Sequence, residues 1–341
     1  MKGTLYLFII CLFTACSSLR YMEIETFNPS EITYPGHIRK ILIVNNAAPQ
    51  PPDMGYVFNL FGVPQQVEKI ETDSALFDAC RALGTAIAET DFFDDVLFFH
   101  EGTSKDDNSL KLTPEEVSSL CEETGTDAII SFDRLLFDMQ KEIIAFSEGY
   151  VIGSIRIDVK GIVRSYLPGK TGPAITALTS DSIFWMEYAD TQEELMLRLP
   201  TPAEALRVAG KYIGSKPYPL FVPHWKNEMR WYFAGSGARW KEATVYAVSG
   251  KWENASERWQ YIYNHSSRWS DKAKSASNLA LVSEITGHPE KALEWAKIAH
   301  NLFESKKGNE HSYTQMQELY VKTLEQRILN DKKLNLQFGK E

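Results

Sequence analysis

The chain has 341 residues, 44% of them hydrophobic, which is enough to bury a full core and to form more than one domain. Its formal net charge of −9 argues against a nucleic-acid partner, because phosphate backbones are held by clustered Lys and Arg and no strongly basic block occurs.

The first residues follow the order of a secretory signal: Lys2, an apolar stretch from Leu5 to Phe13, then the small pair Thr14 and Ala15. The stretch is shorter than the ~20 residues of a membrane-spanning helix, and Ser17, Ser18 and Arg20 end it. Residues 1–15 therefore read as a leader. Leu12-Phe13-Thr14-Ala15-Cys16 resembles a bacterial lipobox, with Phe in place of the more usual Leu. That resemblance implies cleavage before Cys16 and acylation of its thiol, and hence a membrane partner held through the lipid, each buried CH₂ contributing roughly 0.8 kcal/mol. Ser17-Ser18-Leu19-Arg20-Tyr21 lacks the acidic residues that send some Gram-negative lipoproteins to the cell surface. The expected location is the outer membrane, facing the periplasm, with residues 16–36 as a tether.

Ile41-Leu42-Ile43-Val44 is a continuous apolar run and reads as a buried central strand, ended by the Pro- and Asn-rich stretch from Asn45 to Asp53. The spacing of Leu76, Cys80, Leu83 and Ile87 predicts a helix from about Asp73 to Glu89, and Val96 to Phe99 a strand. Thr113-Pro114-Glu115-Glu116 is a capping box with Pro in the first turn, so a helix starts there and ends near Gly125. Ala128 to Phe132 follows as another strand. This alternation implies an α/β domain. The Ile41–Val44 strand, the helix end with Gly125-Thr126-Asp127 and the strand after it are similar to the N-terminal periplasmic domain shared by TolB-type, curli-secretion and penicillin-binding-protein-activator lipoproteins.

From Tyr150, Ile155, Ile157 and Val159 alternate with Arg156, Asp158 and Lys160, the two-residue period of an antiparallel strand. After the turn Pro168 to Gly172, Ala174 to Met186 reads as its partner, so residues 37–190 form a mixed sheet with flanking helices. Cys80 and Cys121 lie on apolar helix faces and read as core thiols rather than a disulfide.

Residues 191–236 read as a helix, started by Thr201-Pro202-Ala203-Glu204, and then a linker marked by Pro217, Pro219 and Pro223. In residues 237–330 two stretches align with each other. The first carries Ala243, Gly250, Ala255 and Trp259, and the second Ala280, Gly287, Ala292, Ala296 and Ala299. Small residues permit close helix contact and Gly permits a tight turn. The pattern resembles tetratricopeptide repeats, which implies an all-α helical domain whose concave face binds a peptide or protein, or which buttresses the α/β domain. Residues 331–341 read as a polar tail. Tyr218 to Trp225, Arg230-Trp231-Tyr232 and the series Ala243, Gly250, Trp252, Ala255, Trp259 together resemble an uncharacterised family of outer-membrane lipoproteins, a resemblance that brings no activity.

No spacing for catalysis emerges. Gly169-Lys170-Thr171 has Arg164 where a phosphate loop needs Gly, so it reads as a turn. Asp91, Asp94, Asp95, Glu101, Asp106 and Asp107 fit no calcium loop and read as solvated. The seven His are scattered, with His224 in a packing role, and Ser154 and Ser236 lack a nucleophile elbow. We therefore expect no catalytic residues, metal or cofactor. The dense aromatics around Trp225, Trp231, Trp240 and Trp252 form the candidate surface for a protein, peptide or glycan. The expectation is a non-enzymatic lipoprotein acting as an interaction scaffold, with a glycan- or peptide-binding lipoprotein as the alternative and, less favoured, a hydrolase whose site is assembled from residues far apart in sequence.

Overall fold

The structure is a computed structural model that describes residues 19–47, 50, 55–66, 70–99 and 111–339. The leader, Cys16, Glu101, Asp106 and Asp107 lie outside the described residues. The chain divides into two compact units, one of residues 29–224 with 334–341, the other of residues up to 28 with 225–333. The chain thus has an N-terminal mixed α/β sheet region followed by a run of consecutive helices, as expected.

Leu19–Asn28 is a strand, β1, and not a tether. Ile24 and Thr26 turn inward while Glu23 and Glu25 face out, an alternation that half-buries a strand. β1 belongs to the helical unit.

In the α/β unit, β2 (Lys40–Asn45) is the buried strand expected from its apolar run. The stretch after it contains a hairpin that was not foreseen, β3 (Tyr56–Leu60) and β4 (Val63–Gln65), turning at Phe61-Gly62. Helix α1 (Asp73–Ala88) leads to β5 (Asp95–Phe98), parallel to β2. Helix α2 (Pro114–Thr124) has its capping box, with Thr113 and Glu116 satisfying each other's backbone N–H groups, and Gly125 closes it at φ +65°. Asp127 then clamps the sheet. Its Oδ2 accepts from the N–H groups of Arg39 (2.7 Å) and Lys40 (2.8 Å), setting β2 against β6 (Ala128–Ala145).

β6 runs far beyond the short strand expected. One edge pairs with β2 as far as Phe132 and with β3 from Met139 to Ile143, both parallel. The other edge pairs antiparallel along its length with β7 (Val151–Tyr166), which pairs with β8 (Ile175–Ala189). The register shifts at Asp133, between Phe132 and Arg134. In the gap that β2 and β3 leave along β6, the Gln50 amide takes the place of a strand. It accepts from Phe137 N–H (2.8 Å) and donates to Phe137 O (2.9 Å).

Helices α3 (Gln192–Arg198) and α4 (Pro202–Ser215) close the unit. α4 lies against α1 so tightly that a Cβ on Gly210 or Gly214 would collide with the carbonyls of Ala75 and Ala79. Cys80 and Cys121 are free and sit in separate cores, Cys80 under α1 and Cys121 under α2.

In the helical unit, the expected linker after Pro223 is a strand, β9 (His224–Phe233), paired with β1. Trp231 and Phe233 anchor it in the helices, which is why an aromatic stretch there is structured. Helices α5 (Ala238–Val248), α6 (Trp252–His265), α7 (Trp269–Ile285) and α8 (Pro289–Lys307) each pack on the next. α7 is buried on all sides from Ala276 to Ser283, so it is the central helix. The Asn278 amide accepts from Phe233 N–H (2.7 Å) and donates to Phe233 O (2.8 Å), fixing the end of β9 on α7. The last helix, α9 (Ser312–Gln337), extends through most of the expected polar tail, because Leu334 finds a buried place. Among the described residues no helix is long and apolar enough to cross a membrane.

Candidate functional site

The small residues of the two aligned stretches lie within helices α5 to α8 and their turns. Ala243, Ala255, Trp259, Ala280, Ala292, Ala296 and Ala299 are fully buried between the helices. Gly250 and Gly287 adopt φ of +70° and +78° in the turns joining α5 to α6 and α7 to α8, a conformation that costs a side-chain-bearing residue strain.

The four Trp of the expected surface separate. Trp240 is 5% exposed and belongs to the helical core, and Trp231 is half-buried against Tyr320, ring centroids 5.5 Å apart. Both are held by packing, so neither is available as a binding face. Trp225 is 64% exposed and packs on Phe27 at 5.1 Å. With Trp252, β1 and the turn at Gly287, it lines a cleft of about 370 Å³. Only Trp225 and Trp252 of the four share a concave site.

A larger surface lies in the α/β unit and was not foreseen. α2 covers one face of the sheet at Ile129 and Tyr166. Past the Asp133 bulge the same face continues with no helix over it among the described residues. Its rows run Val57, Gln140, Arg156, Phe184, then Asn59, Glu142, Ser154, Met186, then Ile144, Ile152, Tyr188. Phe184, Met186 and Tyr188 are 57%, 63% and 67% exposed, with Val57 and Ile144 open beside them. Such concentrated apolar exposure marks an interaction surface. The strand alternation of β8 held the clue, since Phe184, Met186 and Tyr188 alternate with Ile183 and Trp185 and both faces are therefore apolar.

A groove of about 900 Å³ opens where this face begins, between Gln50 and Ser182, with Arg134, Arg156 and Lys160 alternating with Asp138, Asp158 and Asp181. Arg156 Nε and Nη2 donate to Asp158 at 2.9 and 2.8 Å, holding its carboxyl below the usual carboxylate range.

Asp133 itself, 1% exposed, is the most conspicuous chemical group. Oδ1 accepts from Ser131 Oγ and from Asn46 Nδ2 (3.1 Å), and Oδ2 from Arg164 Nη1 and Tyr166 Oη (2.6 Å). Burial, with the Asp133 carboxylate second, pushes the Tyr166 phenol well above its ordinary range. A carboxylate has about four lone-pair sites, and here all are engaged, so Asp133 is a structural tie between β2, β6 and β7 and not a general base.

The remaining motifs are unremarkable. Gly169 has φ +74° and Lys170 N–H donates to Leu167 O (3.3 Å), so Gly169-Lys170-Thr171 is a turn. His224 packs edge-on to Tyr218 at 5.9 Å. Among the described residues no three His, Cys, Asp or Glu side chains converge as a metal site.

Fold and surfaces together define a two-part protein, a mixed α/β sheet unit with an open apolar face and a unit of consecutive helices. The chain belongs to the family of the domain of unknown function DUF8603, which matches residues 38–233, more than half of its length. A second domain of unknown function, DUF6340, matches residues 241–326. No characterised protein matches the chain.

Proposed function

We propose that the chain is a membrane-anchored envelope lipoprotein acting as a non-enzymatic protein-interaction scaffold. The observation that carries this reading is the open sheet face of Phe184, Met186 and Tyr188, which offers a partner apolar area next to paired charges. The lipobox-like Leu12 to Cys16 supports anchoring, with the periplasm-facing outer membrane as the location. The α/β unit is taken as TolB-like, and the helix pairs α5–α6 and α7–α8, with small residues at their contacts and Gly in their turns, as tetratricopeptide-like. Photo-crosslinking residues placed at Met186 and Phe184 in intact envelopes test it. Crosslinks to one protein from these positions, lost in Tyr188→Lys and not formed from Lys211 on α4, are expected. Equal crosslinking from every position would sink the scaffold reading. Acylation is tested separately by the mass of the mature N-terminus, which Cys16→Ala returns to the unmodified value.

A second reading is favoured by the cleft between Trp225 and Trp252, which suits an extended peptide or a glycan stacking on the indoles. Titration with cell-wall fragments should then change Trp fluorescence, and Trp225→Ala should abolish the change. No change with either peptide or glycan removes this reading.

A further inference from the structure

β8 is an edge strand with little to shield it. It is 15 residues long, against about 5–6 for a usual strand, and among the described residues it pairs with β7 alone. Edges of this kind are normally blunted by Lys, Pro or a bulge, because their free N–H and C=O groups template the pairing of another chain. β8 contains no Lys, Pro or Gly and runs against β7 without a register shift. Two side chains reach its outer backbone. Arg198 Nη1 donates to Tyr188 O (2.7 Å), and Asp181 Oδ1 accepts from Ser182 N–H (2.8 Å). Both contacts fall at even-numbered residues, and backbone groups two residues apart in a strand point the same way. The even-numbered residues from Thr176 to Tyr188 therefore turn their N–H and C=O groups outward, away from β7.

Apolar side chains are exposed on both sides of this edge. On the open face stand Leu178, 82% exposed, with Phe184, Met186 and Tyr188. On the opposite face α4 lies against the strand, with Tyr212 Oη donating to Asp181 Oδ2 (3.0 Å) and Val208 exposed one turn earlier. An apolar surface that wraps an edge suits a partner that pairs with the edge itself. The sequence of β8 then selects the partner. Leu178 and Met186 are equally far from Ser182, as are Ser180 and Phe184, and Thr176 and Tyr188. An antiparallel copy centred on Ser182 overlaps the strand along its whole length and sets Leu178 against Met186 at two symmetric places. Asp181 then faces Ile183 and Glu187 faces Ala177, so no two carboxylates meet. Centring on Asp181 would instead set Asp181 against itself, and centring on Phe184 would set it against Glu187. Lys216 Nζ lies 3.2 Å from Asp181 Oδ2, so each copy brings a neutralised pair to the middle of the seam.

We propose that two copies of the chain pair antiparallel through β8, joining their sheets about a two-fold axis at Ser182. Ser182 N–H exchanges the neighbouring Asp181 carboxylate for the carbonyl of the second copy, and the two open faces become continuous. The inference rests on the scaffold reading in one respect, that protein covers the residues around Phe184 and Met186.

The test uses residues 16–341 with Cys16→Ser, so that no acyl chain drives association. Sedimentation equilibrium at concentrations up to about 1 mM, the weak end of the affinity range, should show a dimer. Leu178→Lys places a charge at two symmetric contacts and should weaken the dimer about tenfold, as should Met186→Glu. The two substitutions together set a Lys against a Glu across the axis and should restore it, an outcome that depends on the register. Ser180→Pro, which removes an outward N–H and no bond to β7, should weaken it as well. Ser182→Cys should crosslink to its own copy under mild oxidation, and Lys291→Cys on α8 should not. Unchanged circular dichroism shows that the variants fold. A monomer throughout that range overturns the proposal, as does a dimer that Leu178→Lys leaves intact, or a double variant no better than the single ones. The two readings fail apart. A monomeric chain whose Met186 still crosslinks to another protein in envelopes removes the self-pairing and keeps the scaffold. A dimer whose envelope crosslinks reach only its own copies removes the scaffold and keeps the self-pairing.

Discussion

Three amide side chains do the work of missing strands. Gln50 pairs with both backbone groups of Phe137, Asn278 with both of Phe233, and Gln337 accepts from Ser30 N–H while donating to Ser30 O (3.0 Å). Each closes a place where the chain would otherwise leave a backbone donor and acceptor unpaired. Asn278 is fully buried, so Asn278→Ala strands two polar groups and should cost about 2–5 kcal/mol, read by chemical denaturation of the helical unit. Asp133→Asn should cost roughly 3–5 kcal/mol, because it leaves the buried Arg164 guanidinium without its counter-charge; a loss under 1 kcal/mol would show the tie to be dispensable. Burial pushes the Cys80 thiol from 9.0 up to about 12. The folded state holds the proton more tightly, so this contribution to stability is full below pH 9 and lost as pH rises through about 12. Iodoacetamide at pH 8 should therefore label Cys80 only after unfolding.

Among the elements, those with a local signature were legible. The run Ile41–Val44, the capping boxes at Thr113 and Thr201, and the alternation of β7 each declare their element within a few residues. What escaped depends on distant partners. β1 and β9 are polar on one face and flanked by Pro, and each is a strand because the other pairs with it across two hundred residues of chain, as Thr26 Oγ1 donating to Lys226 O shows. The length of β6 was hidden because its far half pairs with β3, itself inside a Pro-rich stretch. The candidate surface failed for a related reason: four Trp close in sequence point to different places once α5 and α6 form, and Trp240 and Trp231 are drawn into packing.

The clamp at the start of β2 gives an element-scale prediction. Desolvation raises the Asp127 carboxyl, but the N–H groups of Arg39 and Lys40, with the charges of His37 and Lys40, overcome it and hold it below 3.8. Its contribution to stability is present above pH 3.8 and lost as pH falls through the lowered folded value. Asp127→Ala should shift the acid-unfolding midpoint of the α/β unit to higher pH, followed by circular dichroism. At the seam of α1 and α4, Gly214→Ala drives a methyl into the Ala79 carbonyl and should cost about 1–3 kcal/mol by overpacking, whereas Gly172→Ala, in open space, should cost far less.

At the scale of the molecule, the division of the chain is discontinuous. The helical unit takes its first strand from before the α/β unit and the rest from after it. A chain starting at Pro29 should keep the α/β unit and lose β9's partner, exposing the groups that β1 satisfied. Limited proteolysis should then cleave within residues 224–233 far faster than in the full chain, and an unchanged rate would show that β9 stands without β1.

That same division fixes an order of events during synthesis. β1 leaves the ribosome ahead of the α/β unit, and its partner β9 follows some two hundred residues later. Until then β1 has no strand to pair with, while the α/β unit is already complete but for its last few residues. The strand thus waits for β9, which follows the main segment of the α/β unit. A chain that stops before residue 224 carries β1 without the strand that pairs with it.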